Sequence, residues 1–259
     1  MEAGELALYL FFVCTFVTVL QHPASPVRQM IPGAFVRQAL MGLAMGTITI
    51  AILLTPLGKQ SGGHFNPAIT LTYYRLGKVE RWDAVFYVAA QFIGAISGIV
   101  IARCVLGGRL RDSTVRCAVT APGRFGGVAA FLAELTISFI LMITILLATN
   151  AATLGRYTPY FVGLLLMMYY AFESPLSGMS TNPARSFGSA LHARQWHAMW
   201  IYFTAPLLGM LLAAEVFLRA RGGVGPHCAK LHHDNNTRCI FNHGYQAKSA
   251  PAVVEGECE

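Results

Sequence analysis

Hydrophobic positions along the chain fall into six long runs that are separated by short polar connectors. The runs cover about residues 6–21, 35–55, 84–106, 128–148, 159–176 and 198–218. Each run is about as long as a helix that crosses a bilayer, for which ~20 residues span ~30 Å. The first run lacks a basic segment before it, so it is interpreted as a retained span rather than a signal peptide. The pattern predicts an all-α membrane protein with six transmembrane helices.

One short motif occurs twice, in the same place relative to these runs. The skeleton S-G-x-x-x-N-P-A starts at Ser61, between runs two and three, and again at Ser177, between runs five and six. Each half of the chain therefore holds three runs, and because three is odd the second half enters the membrane from the opposite side. The sequence predicts an inverted 3+3 repeat, with repeat one at about residues 1–106 and repeat two at about 124–220.

The centre of each motif is typical of a helix start. Asn is a favoured N-cap, and Pro at the first helical position gives up an N–H that has no helical partner. A helix of ~10 residues is ~15 Å long, which is half of a bilayer. We therefore expect two re-entrant half-helices that meet N-terminus to N-terminus, each preceded by non-helical backbone lining a water-filled path. The motif residues are Asn66, Pro67 and Ala68 in the first copy and Asn182, Pro183 and Ala184 in the second.

The meeting point of two helix N-termini has a defined electrostatic character. Each N-terminus carries roughly +0.5 charge, and both Asn side chains can offer N–H donors there. Water oxygens would be drawn toward this point, whereas cations and hopping protons would be repelled from it. The pattern indicates a pore for water or another neutral solute.

Composition supports a membrane environment. The chain is 55% apolar and only 12% charged, whereas soluble domains are about 25% charged. The net charge of +7 is spread over the connectors, which fits lipid headgroups and argues against a nucleic-acid partner. No nucleophile–base pair or phosphate-binding loop indicates an enzyme.

The segments "SGGHFNPAIT" and "SGMSTNPARSFGSA", supported by "AQFIGAISG" and "FLAELTISFIL", resemble the aquaporin (major intrinsic protein) family over about residues 6–220. The resemblance implies passive conduction of water or small neutral solutes by a homotetramer with one pore per subunit and no cofactor. It also implies a plasma (inner) membrane location with both termini in the cytoplasm, an orientation that the distribution of basic residues does not decide.

The resemblance also implies a selectivity constriction. Arg185 follows the second motif and would form part of it, since an Arg at membrane depth is costly and usually functional. By ungapped offset from the two motif asparagines, its other members are Tyr170, Met179 and Gly46, or Met45 after a slip of one residue. Ordinary water channels of the family carry Phe, His, Cys and Arg at these places, so the constriction residues of this chain differ from theirs.

Further family markers favour water over glycerol. Glycerol facilitators of the family carry "NPARD", whereas this chain has Ser186 at the place of the Asp. Ala190 stands where those facilitators carry a basic residue. Hydrogen peroxide, ammonia and small polyols stay open as solutes. Two other classes also stay open: a proton-coupled transporter, with Glu134 and Glu173 as relay candidates, and a poorly conducting structural membrane protein.

Support of the motif loops is expected from buried polar residues. In the family a Glu at the place of Glu134 holds backbone N–H groups of the second loop, and Gln91 is expected to bond the first loop or the first span. The matching place in the first span, near Phe11, holds no Glu, so the first loop is expected to be supported in another way.

The tail from 221 to 259 has a different, polar composition with repeated Cys and His. Cys228, His232, Cys239 and His243 form a tandem of Cys-x-x-x-His units, and two Cys with two His could complete a tetrahedral zinc site. The alternative is an unstructured cytoplasmic tail, since this spacing does not match a common zinc finger.

Overall fold

The computed structural model describes residues 1–233, 235, 237 and 239–241, and within this part of the chain all regular structure is helical. Eight principal helices follow in chain order: α1 Glu2–Gln21, α2 Ala34–Leu54, α3 Pro67–Arg75, α4 Arg81–Leu106, α5 Gly126–Thr149, α6 Thr158–Met168, α7 Pro183–Ala193 and α8 Met199–Ala220. The helices α1, α2, α4, α5 and α8 are long and apolar enough to cross a membrane.

The fifth predicted span is divided. After α6 the chain continues as a π-helical turn, Tyr169–Glu173, and then as one α-helical turn, Ser174–Ser177. Residues 158–177 therefore coincide with the predicted run 159–176, although their helical pitch changes midway. Such π turns are rare and are frequently found at functional sites.

The packing of the long helices repeats between the two halves. α1 packs along α4 in the first half, and α5 packs along α8 in the second, while α2 packs on α6 between the halves. Glycines let the backbones approach closely, as in many membrane helix pairs. A Cβ on Gly98 of α4 would lie 2.3 Å from the Ala7 carbonyl oxygen of α1, and one on Gly209 of α8 would lie 2.3 Å from that of Leu135 in α5.

Large apolar side chains cover the outside of the bundle. Phe86 on α4, Val128 on α5 and Leu164 on α6 are among the exposed ones. An apolar exterior of this extent is expected for helices that face lipid, because lipid tails and apolar side chains do not repel each other. The inverted repeat and its apolar exterior confirm the predicted fold class.

Candidate functional site: a pore where the two motif loops meet

The two half-helices meet at their asparagines, and each asparagine bonds the opposite loop. The Asn66 side-chain nitrogen donates to the Thr181 carbonyl at 2.8 Å, and the Asn182 side-chain nitrogen donates to the Phe65 carbonyl at 2.8 Å. An amide NH₂ has two donors. Each asparagine therefore uses one donor to join the loops and has a second one for a solute.

The same asparagines cap their own helices. The side-chain oxygen of Asn66 accepts from the Ala68 backbone N–H at 2.9 Å, and that of Asn182 accepts from the Arg185 N–H at 3.2 Å. Both N-caps have extended backbone and are followed by Pro, as the motif predicts. The positive ends of α3 and α7 therefore point at one place inside the bundle.

Ahead of each asparagine the backbone adopts the left-handed conformation at three matching positions. For residues other than glycine this conformation is strained, and it persists only where the surroundings impose it. The positions with positive φ are Gly62, Gly63 and Phe65 in the first loop and Gly178, Met179 and Thr181 in the second.

Glu134 of α5 holds the second loop in this shape. Its carboxylate accepts from the backbone N–H groups of Ser180 and Thr181, both at 2.7 Å, and from the Ser177 hydroxyl at 2.6 Å. The carboxylate is fully buried, so these three charge-assisted bonds replace its lost hydration.

Glu2 does the same for the first loop, and the sequence reasoning missed it. Its carboxylate accepts from the backbone N–H groups of His64 at 3.1 Å and Phe65 at 2.7 Å, and from the Gln91 side chain at 2.6 Å. As expected, the support does not come from the place near Phe11; the carboxylate comes from the first turn of α1 instead. A buried acid at the start of an apolar run was the available signal.

A serine and a tyrosine complete the frame of each loop. The Ser61 carbonyl accepts from the Tyr87 hydroxyl at 2.6 Å, and the Ser177 carbonyl accepts from the Tyr202 hydroxyl at 2.6 Å. The Ser61 hydroxyl donates to Glu5 at 2.7 Å. In both halves a tyrosine hydroxyl from a membrane span thus donates to the serine carbonyl at the start of the motif.

Arg185 lies in the wall of a cavity of about 370 Å³ on the side of the second loop, here called the Arg185 cavity. Its guanidinium donates to the Ala118 carbonyl at 2.9 Å, while its Nε has no hydrogen-bond partner among the described residues. Tyr170 lines the same cavity, whereas Met179 is buried in the loop and is not part of the lining. The arginine therefore offers charge and a donor to a solute entering from this side.

A second cavity of about 30 Å³, the Asn66 cavity, lies on the other side of the loop junction. Both asparagines, Tyr9 and Leu231 are part of its lining. The Tyr9 hydroxyl lies 3.2 Å from the Tyr170 hydroxyl, so this tyrosine pair stands between the two cavities. No sequence signal pointed to Tyr9, because its partner Tyr170 lies 161 positions away, in the π-helical turn after α6.

The expected placement of Gly46 in the constriction is wrong, because the residue faces α6. A Cβ on Gly46 would lie 2.5 Å from the Gly163 carbonyl oxygen. Along α2, Met41 lines the Arg185 cavity and Thr49 lines the Asn66 cavity. Met45 is fully buried and lies one helical turn from each of them, so it shares their face of α2, although it lines neither cavity.

The described part of the tail packs against the channel, so the expectation of an unstructured tail is wrong for these residues. The Ala229 carbonyl accepts from the His64 ring at 2.7 Å, and the Leu231 N–H donates to the Gly62 carbonyl at 3.0 Å. Burial raises the pKa of the Cys228 thiol to about 12. We call the side of the membrane on which this segment lies the tail side.

Two of the four predicted zinc ligands lie together. The sulfur atoms of Cys228 and Cys239 are 3.4 Å apart, while His243 lies outside the described residues. Within residues 1–233, 235, 237 and 239–241, no three His, Cys, Asp or Glu side chains are grouped to hold a metal ion. A zinc site in the tail therefore stays a prediction.

An inverted helical repeat whose two half-helices meet between two cavities defines a membrane channel. The sequence model of one family, the major intrinsic proteins, matches residues 3–217, and the chain belongs to this family. It is 30% identical to aquaporin NIP6-1 of Arabidopsis thaliana over 209 residues, an alignment that covers 80% of this chain and 66% of that protein. It is 31% identical over 211 residues to a probable aquaporin, TIP4-1, of Oryza sativa, which covers 81% of this chain and 83% of that protein.

A solved structure shares the fold. The aquaglyceroporin from Plasmodium falciparum superposes with a TM-score of 0.69 at 18% identity, covering 83% of this chain and 92% of that one. At this identity the likeness concerns the fold alone.

Proposed function

We propose that the protein conducts water in single file and excludes ions and protons. The observation that carries this proposal is the exchange of hydrogen bonds between Asn66 and Asn182 across the loop junction. It leaves each amide with one N–H donor at the point where two positive helix ends meet. Water oxygens are bound at this point from both sides, which reverses their orientation and interrupts proton hopping.

The constriction supports water over larger solutes. Tyr9 and Tyr170 are joined through their hydroxyls between the cavities, and Met45 lies on α2 between Met41 and Thr49, which line one cavity each. Arg185 adds a positive charge that repels cations. Small neutral solutes such as glycerol, hydrogen peroxide or ammonia are the alternative, and a poorly conducting structural role is a third.

The contacts of Ser186 favour water over glycerol as the conducted solute. Its hydroxyl lies 2.7 Å from the Thr120 hydroxyl and 2.5 Å from the Ser180 hydroxyl, in a fully buried position. Glycerol facilitators carry a carboxylate at this place, and that larger, charged group would have to fit among the Thr120 and Ser180 hydroxyls.

The family resemblance supports a homotetramer in the plasma membrane with both termini, and thus the tail side, in the cytoplasm.

Stopped-flow light scattering on proteoliposomes tests the proposal. An osmotic step with an impermeant solute measures water permeability, and an iso-osmotic glycerol gradient measures glycerol entry. We expect fast shrinkage with slow glycerol entry. Asn182→Asp is the control variant, because a carboxylate removes the donor at the loop junction and should abolish conduction. Fast entry of both solutes would favour a mixed solute channel, and permeability equal to that of empty liposomes would contradict conduction.

A further inference from the structure

The C-terminal segment contacts both halves of the repeat at the tail-side mouth of the pore. We define the tail segment as residues 226–233, 235, 237 and 239–241. On one side Ala229 and Leu231 bond the first motif loop. On the other side the His227 N–H donates to the side-chain oxygen of Asn150, the residue that ends α5, at 2.8 Å. The segment therefore spans the opening rather than lying along one wall.

The tail segment reaches the pore lining itself. Leu231 is part of the wall of the Asn66 cavity. Phe241 contacts the same loop: its ring stacks on the His64 ring with centroids 5.8 Å apart and lies tilted against the Tyr87 ring at 5.9 Å. Ala229, Leu231 and Phe241 thus all contact the first motif loop.

Two cysteines stand near the first and the last of these contacts. Cys228 directly precedes Ala229, and Cys239 precedes Phe241 by two positions. Their sulfur atoms are 3.4 Å apart, and a disulfide bond of about 2.05 Å requires only a small approach. Cys228 is buried, whereas Cys239 is partly exposed, so an oxidant in solution meets Cys239 first.

We propose that Cys228 and Cys239 form a redox-active dithiol whose oxidation to a disulfide locks the tail segment across the pore mouth. With a peroxide as oxidant, Cys239 is converted to a sulfenic acid with release of one water. The Cys228 thiol then attacks this sulfur and displaces the second water, so two thiols lose two electrons and two protons while one peroxide is reduced to two waters. A thiol reductant reverses the reaction by exchange.

The physical effect of the disulfide is to restrict where the tail can go. Both thiols are free in the structure, in which the tail segment is seated. A lock requires that this seated conformation exchanges with one in which the segment has left the mouth. The cross-link joins two tail residues that are 11 positions apart, so it lowers the conformational entropy of the unseated tail and favours the seated conformation. The effect on permeability rests on the proposed water conduction, whereas the formation of the disulfide does not.

The full-length chain in proteoliposomes tests this proposal. Samples are treated with hydrogen peroxide or with a thiol reductant, and water permeability is measured in each state. In parallel, the cross-linked peptide is sought by mass spectrometry, and trypsin cleavage after Lys230 in detergent reports whether the tail segment is seated. Cys228→Ser and Cys239→Ser are compared with Cys104→Ser, which removes an exposed thiol of α4 instead.

We expect peroxide to form the Cys228–Cys239 disulfide, to slow cleavage after Lys230 and to lower water permeability about tenfold, reversibly. Cys104→Ser should respond in the same way, and the two tail variants should not respond. Absence of this disulfide under peroxide, or its formation with unchanged permeability in a conducting channel, would overturn the proposal. A disulfide that protects Lys230 in a chain that conducts in neither state would support the lock and refute the proposed conduction.

Discussion

The two motif loops have the same internal frame and differ in what lies against them. Each loop bends through left-handed backbone, is held by one buried glutamate and is bonded by one tyrosine hydroxyl. The second loop, however, opens to the Arg185 cavity of about 370 Å³, whereas the first loop faces a cavity of about 30 Å³ and the tail segment. The two halves are therefore symmetric at the junction of the loops, whereas the two sides of the pore differ in cavity size and in neighbouring residues.

The glutamates should give the largest effects if the shared frame is correct. Glu2→Gln and Glu134→Gln each replace a carboxylate oxygen by an NH₂ group that faces a backbone N–H, so one strained N–H loses its acceptor. At a cost of about 1–3 kcal/mol for an unsatisfied buried donor, we expect both variants to lower the unfolding midpoint in detergent and to lose most of their water permeability.

Glu80→Gln is the matched control, because Glu80 is exposed at the start of α4. It should behave like the unchanged chain in both measurements. Full permeability and an unchanged unfolding midpoint in Glu2→Gln would contradict the equal role of the two glutamates and leave Glu134 as the single essential one.

The tyrosine pair should give a smaller effect, on selectivity. Tyr9→Phe and Tyr170→Phe each remove one hydroxyl of the pair between the cavities, and without this bond the rings can separate more easily. We expect the ratio of glycerol to water permeability to rise about threefold in either variant, since the bond contributes only about 1 kcal/mol.

Measured together with the double variant, the pair forms a cycle. Equal single effects with no further change in the double variant would show that the hydroxyls act as a unit. Independent, additive effects would contradict their joint role at the constriction.

Leu231→Ala tests the difference between the two sides of the pore. The smaller side chain widens the tail-side end of the Asn66 cavity while the backbone bond to Gly62 remains. We expect an increase of about twofold in water permeability by stopped flow, because the narrow side limits flow more than the wide one. Leu212→Ala on the exposed face of α8 is the matched control and should change nothing. A permeability unaffected by Leu231→Ala would argue that the tail segment does not limit flow.

The smallest effects are expected from the tyrosines that bond the loop serines. Tyr87→Phe and Tyr202→Phe each remove one hydrogen bond to a serine carbonyl, worth about 1 kcal/mol. In a chain of this size each should lower the unfolding midpoint by about 2–4 °C, as followed by thermal unfolding in detergent. Tyr160→Phe, at an exposed position, should leave the midpoint unchanged. Clearly unequal effects of the first two would limit the symmetry to the glutamates.

The sequence by itself determined the architecture of this protein. Six apolar runs and two copies of one motif fix the number of spans and the inverted repeat, because burial in lipid and helix capping are local requirements. The half-helices confirm this: they begin at Pro67 and Pro183, as predicted, and they are 9 and 11 residues long, close to the predicted length.

Tertiary structure decided which side chains meet. Glu2 reaches the first loop only because α1 starts beside it, and Tyr9 meets Tyr170 across 161 residues of sequence. Gly46 packs against α6 because of the rotation of α2, which periodicity leaves open by one residue. The tail, polar enough to predict no structure, is held by contacts to a loop far earlier in the chain, because a pore mouth offers carbonyl and ring partners that no local pattern encodes.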